Sequence, residues 1–379
     1  MRLAVYTDYP YRREAGAVYA ERAFVLFLGE LARRVDRLVL LGRMHPEEGR
    51  SERSHYRVPD EVEFVPLPHY ERLSHPLHAA RAMSGSARAF RGVLPGVDAV
   101  WLLGPHPLCL AFAALAAGAR RRVFLGVRQD LPRYARTRHP ERRSFHVAAD
   151  ALEASYRLLA RRCPVIVVGP DLARRYASAR RLLSISVSLV RADDVPAEPP
   201  ARSWEGPLTA LSVGRLEAEK NPLMLADVLA ALGDRWRLVV CGEGPLEGEL
   251  RSRVAELGVG ERVELRGYLP LGSGLGELYR ESHALLHVSW TEGVPQILFE
   301  AFAAGLPVVA TAVGGVADAV GEDALLVEPG DPVAAAAALE RLAAEPSLRE
   351  RLARGGLPRA RAHTLEAECE RVAAFMAAD

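Results

Sequence analysis

The stretch ALLHVSWTEGVPQILFEAFAAGLPVVA, residues 284–310, contains the pattern that decides the fold. An apolar run near 284–288 is followed by a polar loop, by a helical segment that begins at Pro295, and by a second apolar run near 306–310. Short apolar runs that alternate with helical segments are typical of parallel strands joined by crossover helices. The stretch therefore predicts one βαβ unit of a parallel sheet.

The same alternation extends along most of the chain. Before a proline-rich stretch, apolar runs occur near 2–7, 37–42, 62–66, 97–103, 122–127, 164–168 and 185–190. After it, runs occur near 207–213, 236–241, 262–266, 284–288, 306–310 and 324–327. The proline-rich stretch, 195–203, is typical of a linker. The sequence predicts an α/β protein with two doubly wound Rossmann-like domains that face each other across a cleft.

Composition narrows the class of protein. Of 379 residues, 49% are hydrophobic and 26% are charged, which excludes disorder, collagen and coiled coil for the whole chain. No apolar run approaches the roughly 20 residues of a membrane span, and the first run is too short for a signal peptide. We expect a cytoplasmic protein, with its four cysteines as reduced core thiols.

The formal net charge is +1, but it is unevenly distributed along the chain. Residues 1–195 have a net charge of +12 and residues 196–379 a net charge of −11. One interpretation is two solvated faces that attract each other across an interface. The other is a basic half that meets an acidic acceptor or an anionic lipid surface. Peripheral contact with the inner membrane face is therefore a hypothesis, and we predict no nucleic-acid partner.

Lys220 is the only lysine and Asn221 the only asparagine in a chain otherwise rich in arginine. Lysine is a compact point charge and arginine a planar fork, so a tight phosphate pocket can require lysine. Arg215 precedes Lys220 by five residues and follows the first strand of the second domain. Two cations at that edge suit a diphosphate. The alternative is a surface turn with solvated charges.

Two carboxylates mark the stretch quoted first. Glu292 lies in the loop before the helix, and Glu300 lies inside the helix among apolar residues. A helix N-terminus offers free N–H groups and a positive dipole end, and carboxylates accept hydrogen bonds from hydroxyl groups. The alternatives are a Glu292 that only complements the helix dipole and a Glu300 exposed on the helix surface.

Three motifs lie in the second half of the chain in a specific order and spacing. They are Gly214-Arg215-Leu216-x3-Lys220, Gly242-x-Gly244-Pro245, and Glu292-x7-Glu300 followed by Gly305-x-Pro307-Val308-Val309. Together they resemble the nucleotide-sugar domain of glycosyltransferase family 4, retaining enzymes of the GT-B fold, over about 206–355. The resemblance implies a metal-independent glycosyltransferase of the hexosyltransferase type, without a cofactor, that moves a sugar from a nucleotide-diphosphate donor to an acceptor hydroxyl.

The resemblance also implies a donor site. Its residues are Gly16, Gly214, Arg215, Lys220, Gly242, Gly244, Tyr268, Leu269, Glu292, Gly293, Val294, Pro295 and Glu300. Arg215 and Lys220 would hold the diphosphate, and Glu300 the ribose hydroxyls. Glu292 and the backbone of 293–295 would hold the sugar, and the segment at Tyr268 would seat the base. Arg215, Lys220 and Glu292 are the predicted catalytic residues of this domain.

The N-terminal half resembles the family loosely. The segment from Pro10 to Gly16 and Ala17 is predicted to be the first strand-to-helix loop, where the family often has two glycines. Where the family commonly has an active-site histidine, this chain has Arg128, Gln129 and Asp130. Gln129 is therefore a predicted catalytic residue, and Arg128 and Asp130 are predicted on the acceptor side. His106, in the loop after the run at 97–103, is an alternative there.

We predict an N-terminal acceptor-binding domain over 1–193, a linker over 194–205, a nucleotide-sugar-binding domain over 206–355 and a C-terminal helix over 356–379 that crosses back to the first domain. The acceptor is open: a glycan, a lipid-linked compound or a small molecule. Two alternative functions remain, a GT-B phosphorylase or epimerase, and a nucleotide-sugar-binding protein without turnover. His283 and His287 are four residues apart, but an apolar strand makes them a poor metal pair.

Overall fold

The computed structural model describes residues 1–51, 54–70 and 76–378, and the chain divides into two compact units. The first unit comprises Met1–Val187 together with the residues from Glu368 onward, and the second comprises Ser188–Ala367. Each unit is an α/β structure on a largely parallel sheet, which confirms the predicted fold class. The predicted linker, 194–205, lies inside the second unit.

The first unit alternates strands and helices. Its strands are β1 (Arg2–Glu14), β2 (Ala17–Ala20), β3 (Arg37–Met44), β4 (Tyr56–Arg57), β5 (Val62–Leu67), β6 (Ala99–Gly104), β7 (Arg122–Val127), β8 (Val165–Val168) and β9 (Leu182–Ile185). Its helices are α1 (Phe24–Ala32), α2 (Pro76–Val93), α3 (Pro107–Gly118), α4 (Leu131–Arg138), α5 (Arg143–Ala160) and α6 (Pro170–Arg175). Six predicted apolar runs correspond to strands β1, β3, β5, β6, β7 and β8.

The parallel strands of the first sheet lie in the order β5-β3-β1-β6-β7-β8-β9. Chain order runs one way from β1 to β5 and the other way from β6 to β9, so it reverses between β1 and β6. Ligands of doubly wound sheets bind outside the carboxyl ends of the strands at such a switch point. In this unit, the part of β1 beyond Tyr6, where its pairing with β6 ends, and the residues that follow β6 occupy that place.

The predicted strand-to-helix loop from Pro10 to Ala17 is wrong. Strand β1 continues to Glu14, turns, and returns as the antiparallel strand β2. Ala15 and Gly16 form the turn with φ of +48° and +81°, and two-residue hairpins of this kind require positive φ at both positions. Gly16 therefore lies at the tip of a β-hairpin.

The second unit contains the βαβ pattern of the quoted stretch. Its strands are β10 (Leu208–Val213), β11 (Trp236–Cys241), β12 (Val263–Leu265), β13 (Ala284–His287), β14 (Val308–Thr311) and β15 (Leu325–Val327). Its helices are α7 (Leu223–Ala231), α8 (Glu247–Glu256), α9 (Leu275–Glu281), α10 (Gln296–Ala303), α11 (Val316–Val320), α12 (Pro332–Ala344) and α13 (Pro346–Ala362). Strands β13 and β14, joined by α10, confirm the predicted unit.

All pairs in the second sheet are parallel, in the order β12-β11-β10-β13-β14-β15. Its switch point lies between β10 and β13. Both faces of the sheet are buried, since Leu238 and Val240 of β11 join one apolar cluster while Val239 and Cys241 join another. Helices cover the two faces, so the carboxyl edge is where ligands can approach the strands.

The C-terminal part of the chain differs from the predicted single helix over 356–379. Helix α13 ends at Ala362, and α14 (Leu365–Ala377) begins after Thr364, whose hydroxyl accepts the amide hydrogen of Ala367 at 3.3 Å. Cys369, Val372 and Met376 of α14 are fully buried. Helix α14 therefore starts in the second unit and ends as part of the first.

The strand predicted near 185–190 lies earlier, because β9 ends at Ile185. The amide of Ser186 donates to the Glu368 carboxylate at 3.2 Å instead of continuing a sheet. The guanidinium of Arg371 donates to the Ser184 carbonyl at 2.6 Å. Helix α14 thus binds the end of β9 through Arg371 and accepts, through Glu368, a hydrogen bond from the first residue after β9.

The four cysteines are free thiols, as predicted; Cys163 is partly buried, and the other three are buried. Across the described ranges, no helix has both the length and the apolar composition that crossing a membrane requires.

Candidate active site

The loops that follow β10, β11 and β12 form one layer at the carboxyl edge of the second sheet. The amide of Gly214 donates to the Cys241 carbonyl at 2.9 Å, and the amide of Gly242 donates to the Gly267 carbonyl at 2.7 Å. Because each loop is hydrogen-bonded to the next, the layer presents its side chains from a fixed backbone.

Two glycines permit this close contact. A Cβ on Gly242 would lie 1.8 Å from the Gly214 carbonyl oxygen, and a Cβ on Gly244 would lie 2.3 Å from the Leu216 carbonyl oxygen. Gly242 also has a φ of +152°, which side chains rarely adopt. Gly242 and Gly244 therefore hold the loops together, and contact with a donor stays a prediction.

Lys220 is aimed at Glu292 by a short turn. The turn, a 3-10 helix over Ala218–Lys220, ends at Asn221 with a φ of +51°. Asparagine adopts this left-handed conformation more readily than most residues, which is a structural reason for the only asparagine. The Lys220 Nζ atom lies 2.5 Å from Glu292 Oε1. Lys220 follows β10 and Glu292 follows β13, so their ion pair spans the switch point.

Glu292 is anchored through one oxygen. Its Oε1 accepts hydrogen bonds from Lys220, from Ser289 Oγ at 2.6 Å and from His287 Nε2 at 2.9 Å. Burial by itself would raise the pKa of Glu292, but the His287 hydrogen bond and the Lys220 charge lower it to about 2. Oε2 makes no hydrogen bond to the described residues. The site therefore holds an ionised carboxylate whose side chain is 8% exposed and whose Oε2 is not used by the described residues.

Arg215 is held by two carboxylates of its own loop. Its Nη1 lies 2.5 Å from Glu217 Oε2, and its Nη2 donates to Glu219 Oε1 at 3.0 Å. The carbonyl of Glu219 in turn accepts the amide hydrogen of Trp290 at 2.9 Å. The Arg215 side chain is 47% exposed, so it retains donors that a ligand can reach.

Glu300 is partly buried within the second unit. Its Oε2 accepts a hydrogen bond from the Tyr279 hydroxyl at 2.7 Å, and its Oε1 accepts one from Gln296 Nε2 at 2.6 Å. Burial raises the pKa of Glu300, and both hydrogen bonds oppose that rise. The alternative of an exposed helical glutamate is wrong. Each carboxylate oxygen still has a second lone pair for a hydroxyl donor.

The residues predicted to seat the base lie after β12. Tyr268 is 42% exposed, and its amide donates to Glu243 Oε1 at 3.3 Å. Leu269 packs against the apolar cluster that contains Tyr279. One side chain thus offers an exposed ring while its neighbour anchors the loop.

The segment predicted to hold the sugar precedes α10. Pro295 caps the helix with an extended backbone, and the carbonyl of Gly293 accepts the amide hydrogen of Gly315 at 2.9 Å. Proline has no amide hydrogen, so in this segment only Gly293 and Val294 can donate one. Pro295 can take part only through its carbonyl or its ring.

Two first-unit candidates have structural roles. His106 caps α3, since its Nδ1 accepts the Leu108 amide hydrogen at 3.2 Å. Asp130 caps α4 by accepting the Arg133 amide hydrogen at 3.0 Å, and it also pairs with Arg175. Both side chains therefore cap helices, and their predicted roles on the acceptor side stay predictions.

The other first-unit candidates differ in their contacts. Gln129 is exposed and makes no side-chain hydrogen bond to the described residues. Arg128 donates to the Tyr9 hydroxyl, and its guanidinium lies 4.5 Å from the centre of that ring. Gly16 lies at the hairpin tip, where a Cβ would meet nothing within 4 Å. Their predicted roles stay predictions.

His283 and His287, which the sequence analysis makes a poor metal pair, have separate hydrogen-bond partners. His283 Nδ1 accepts the Thr209 amide hydrogen at 2.9 Å, whereas His287 contacts Glu292. In the part of the chain that the structure describes, no group of three or more His, Cys, Asp and Glu side chains is arranged to hold a metal ion.

A family model described as glycosyl transferases group 1 matches residues 196–357. This segment is similar to the group 1 glycosyltransferases. It contains the Lys220–Glu292 pair and Glu300, and it coincides closely with the range over which the sequence resembles family 4. Assignment to family 4 itself stays a prediction.

Curated relatives match over part of the chain. The chain is 34% identical over 220 residues to a D-inositol 3-phosphate glycosyltransferase of Salinispora tropica, covering 54% of this chain and 40% of the relative. It is 30% identical over 205 residues to the lipopolysaccharide core biosynthesis glycosyltransferase LpsD of Rhizobium meliloti, covering 51% and 57%. The chain thus spans between two fifths and three fifths of the length of these relatives.

Solved structures match over the whole chain. Anabaena Alr3699/HepE in complex with UDP and glucose has a TM-score of 0.73 and 17% identity, with 100% of both chains covered. Sucrose-phosphate synthase from Thermosynechococcus elongatus has a TM-score of 0.74 and 19% identity, covering 100% of this chain and 98% of that one. These likenesses show the predicted GT-B fold.

Two residues of the segment that matches the family model, His287 and Ser289, were not predicted as site residues. His287 ends strand β13 and Ser289 follows it, and both contact Glu292 Oε1. Their position at the carboxyl end of a strand beside the switch point was the available signal. The apolar residues around His287 concealed it, because they suggested a core position.

Proposed function

We propose that the protein is a retaining glycosyltransferase that moves a sugar from a nucleotide-diphosphate donor to an acceptor hydroxyl without a metal ion. The observation that supports this most directly is the Lys220–Glu292 ion pair at the switch point of the second sheet, within the segment that matches the family model. The names of the relatives agree with it, and the HepE structure contains UDP and glucose.

Lys220 and Arg215 would stabilise the leaving group. The diphosphate gains negative charge as the bond to the sugar breaks, and fixed cations lower the free energy of that state. The Lys220 ammonium has three N–H donors, and one is used on Glu292. Lys220 can therefore hold Glu292 and a phosphate oxygen together.

Glu292 would position the sugar. Its Oε2 is available to accept a hydrogen bond from a sugar hydroxyl, and the amides of Gly293 and Val294 can donate to sugar or phosphate oxygens. The resemblance implies transfer on the front face, in which a donor phosphate oxygen takes the proton of the acceptor hydroxyl. No protein nucleophile is needed for that reaction.

The test is a thermal-shift panel of UDP, GDP, ADP, TDP and NAD, with and without Mg²⁺. It compares the wild type with Lys220→Ala and with Arg237→Ala, whose exposed side chain lies near the start of β11, at the opposite end of the strands. A ligand at roughly 100 times its dissociation constant adds about 2.7 kcal/mol of stability. We expect one diphosphate to stabilise the wild type and Arg237→Ala without metal, but not Lys220→Ala.

Other outcomes would each contradict a specific part of the proposed function. A shift with NAD alone would overturn the donor site, and a strict need for Mg²⁺ would overturn metal independence. Turnover separates the alternative functions: sugar transfer or slow donor hydrolysis supports the transferase, phosphate-dependent cleavage of a glycoside indicates a phosphorylase, and binding without turnover indicates a binding protein. The anomeric configuration of the product, read by NMR, tests retention.

We further propose peripheral contact with an anionic membrane surface through the helical hairpin α4–α5. Residues 131–147 contain five arginines and one acidic residue. Three large apolar side chains are exposed there: Tyr134, Phe145 and Val147, the last at 68%. Apolar side chains among arginines suit the boundary between lipid headgroups and acyl chains.

A further inference from the structure

The switch point of the first sheet contains a carboxylate, Asp8. Pairing of β1 with β6 ends at Tyr6 and Leu102, and the register between β1 and β3 shifts between Tyr6 and Pro10. Irregularities of this kind redirect side chains and are common beside active sites. Asp8 lies within this irregular segment, and His106 follows β6 on the other side of the switch point.

Asp8 is anchored through one oxygen only. Its Oδ1 accepts a hydrogen bond from the Tyr70 hydroxyl and lies 3.3 Å from the Tyr6 hydroxyl, 3.2 Å from Arg43 Nε and 3.5 Å from His106 Nε2. Its Oδ2 makes no hydrogen bond to the described residues, and the side chain is 27% exposed. The arrangement leaves one oriented carboxylate oxygen available at the ligand edge of the sheet.

The groups around Asp8 also form hydrogen bonds with one another. Arg43 also donates to the Asp8 carbonyl at 2.7 Å and to the Tyr70 carbonyl at 2.5 Å. His106 Nδ1 accepts the Leu108 amide hydrogen, which places the proton of the neutral ring on Nε2, beside Tyr70 and Asp8. These residues therefore act as positioning residues that fix the direction of Asp8 Oδ2.

Arg128 brings a positive charge to the same edge. It follows β7, the neighbour of β6, and its side chain reaches Tyr9, the residue after Asp8. Its Nε is buried without a hydrogen-bond partner, and within the described ranges no carboxylate lies within 4.0 Å of its guanidinium. The guanidinium of Arg22 lies 5.9 Å from the centre of the Tyr9 ring, also without a carboxylate partner in those ranges.

A partly buried cation that lacks a counter-ion is costly unless a ligand supplies one. Asp8 offers a hydrogen-bond acceptor. Arg128, which contacts the next residue, Tyr9, offers a charged donor. A hydroxyl group satisfies the first, and a phosphate or carboxylate satisfies the second.

We propose that this edge binds an acceptor that carries both a hydroxyl and an anionic group. Asp8 Oδ2 accepts the hydrogen bond of the hydroxyl, and Arg128 pairs with the anionic group. The proposal rests on the proposed function, because it treats the ligand of the first unit as the acceptor of the sugar transfer.

The experiment measures binding of three probes by calorimetry, with the donor site saturated by the diphosphate found in the thermal-shift panel. The probes are glucose, glucose 6-phosphate and glucuronate, which share a polyhydroxyl ring and differ in charge. Binding is compared among the wild type, Arg128→Gln and Arg88→Gln, an exposed arginine of α2 outside this edge. Glucose 6-phosphate and glucuronate distinguish a phosphate from a carboxylate as the preferred anion.

We expect an anionic probe to bind the wild type and Arg88→Gln at least about 10-fold more tightly than glucose, with that advantage lost in Arg128→Gln. Equal binding of the anionic probe to Arg128→Gln and wild type would overturn the role of Arg128. Failure of both anionic probes to bind more tightly than glucose would overturn an anionic acceptor. If no nucleoside diphosphate binds the wild type, the proposed function fails instead.

Asp8→Asn tests the hydroxyl contact. The surrounding tyrosines and Arg43 donate to one side of the carboxyl group, so the amide nitrogen of the substituted side chain would take the place of Oδ2 and present donors there. We expect binding of the anionic probe to weaken about 10-fold, while diphosphate binding and the midpoint of thermal unfolding stay close to those of the wild type. Unchanged probe binding would overturn the role of Asp8.

Discussion

The Lys220 ammonium and the Glu292 carboxylate lie 2.5 Å apart and join the loops that follow β10 and β13. Each residue is oriented by a different strand, so the pair depends on the parallel sheet between them. An arginine cannot reproduce this contact, because its planar fork is longer and spreads its charge. We therefore expect both Lys220→Ala and Lys220→Arg to lower sugar transfer or donor hydrolysis about 10²–10³-fold. Arg237→Ala is the control, and full turnover by Lys220→Arg would contradict the need for a point charge.

Glu292 should make stability depend on acid pH. Its pKa in the folded protein is lowered from 4.5 to about 2, so its contribution to stability is present above pH 4.5 and is lost as the pH falls toward 2. Glu292→Gln should lose less unfolding free energy than the wild type over that interval, measured by urea unfolding. Glu261→Gln, at an exposed carboxylate without a cation partner in the described ranges, should follow the wild type. Parallel curves for Glu292→Gln and wild type would contradict the lowered pKa.

Glu300 should behave in the opposite way. Because burial raises its pKa above 4.5, its contribution to stability is present below that pH and is lost as the pH rises through the folded-state pKa. Glu300→Gln should therefore unfold at a higher urea concentration than the wild type at pH 7.5. If the carboxylate binds ribose hydroxyls, the same variant should bind the donor diphosphate about 10–100-fold more weakly. A variant that is less stable at pH 7.5 would contradict the effect of burial.

Gly242 should not tolerate a side chain. A Cβ there would lie 1.8 Å from the Gly214 carbonyl oxygen, so Gly242→Ala should cost about 2–4 kcal/mol of unfolding free energy. Gly248, within α8, has nothing within 4 Å of its Cβ position, so Gly248→Ala should be stabilising by about 0.5–1 kcal/mol. Thermal or urea unfolding measures both. Equal stability of the two variants would show that the loops after β10 and β11 separate easily.

The hairpin α4–α5 should bind anionic vesicles. We expect the wild type to sediment with vesicles that contain phosphatidylglycerol and not with pure phosphatidylcholine. Replacing Phe145 and Val147 by serine should weaken binding about 10-fold or more, because less apolar surface leaves water. Val333→Ser, at an exposed position of α12, is the matched control. Binding that persists in the double variant would locate the contact elsewhere.

The second unit could be predicted from its sequence in most respects. Its apolar runs correspond to strands, and the positions of Lys220, Glu292 and Glu300 relative to those strands place all three in or beside the carboxyl-edge loops. The partners of these residues could not be predicted: the contact of His287 with Glu292, and that of Tyr279 with Glu300, join residues whose approach depends on packing.

The first unit was harder to predict because local patterns conflict with its topology. Pro10 and the polar residues after it suggest a loop, yet β1 continues and turns back at Gly16. His106 and Asp130 are polar residues after strands that also cap helices, a role that the sequence analysis did not predict. Asp8 belongs to no sequence motif that would predict a site. Only the strand order of the folded sheet shows that it lies at a switch point. The sequence also predicts acceptor recognition in the N-terminal loops, roughly 9–18, 67–85 and 128–146, and residues 71–75 of the second loop lie outside the described residues.

Helix α14 has a consequence for the order in which the chain can fold during synthesis. Its residues from Glu368 onward belong to the first unit, but they leave the ribosome after all of Ser188–Ala367. At about 5–20 residues per second, that delay amounts to about 10–40 s, which is long compared with the folding time of a domain. The surface that receives Cys369, Val372 and Met376 stays uncovered throughout that time. The nascent first unit therefore passes through a state that chaperones can recognise before its final helix arrives.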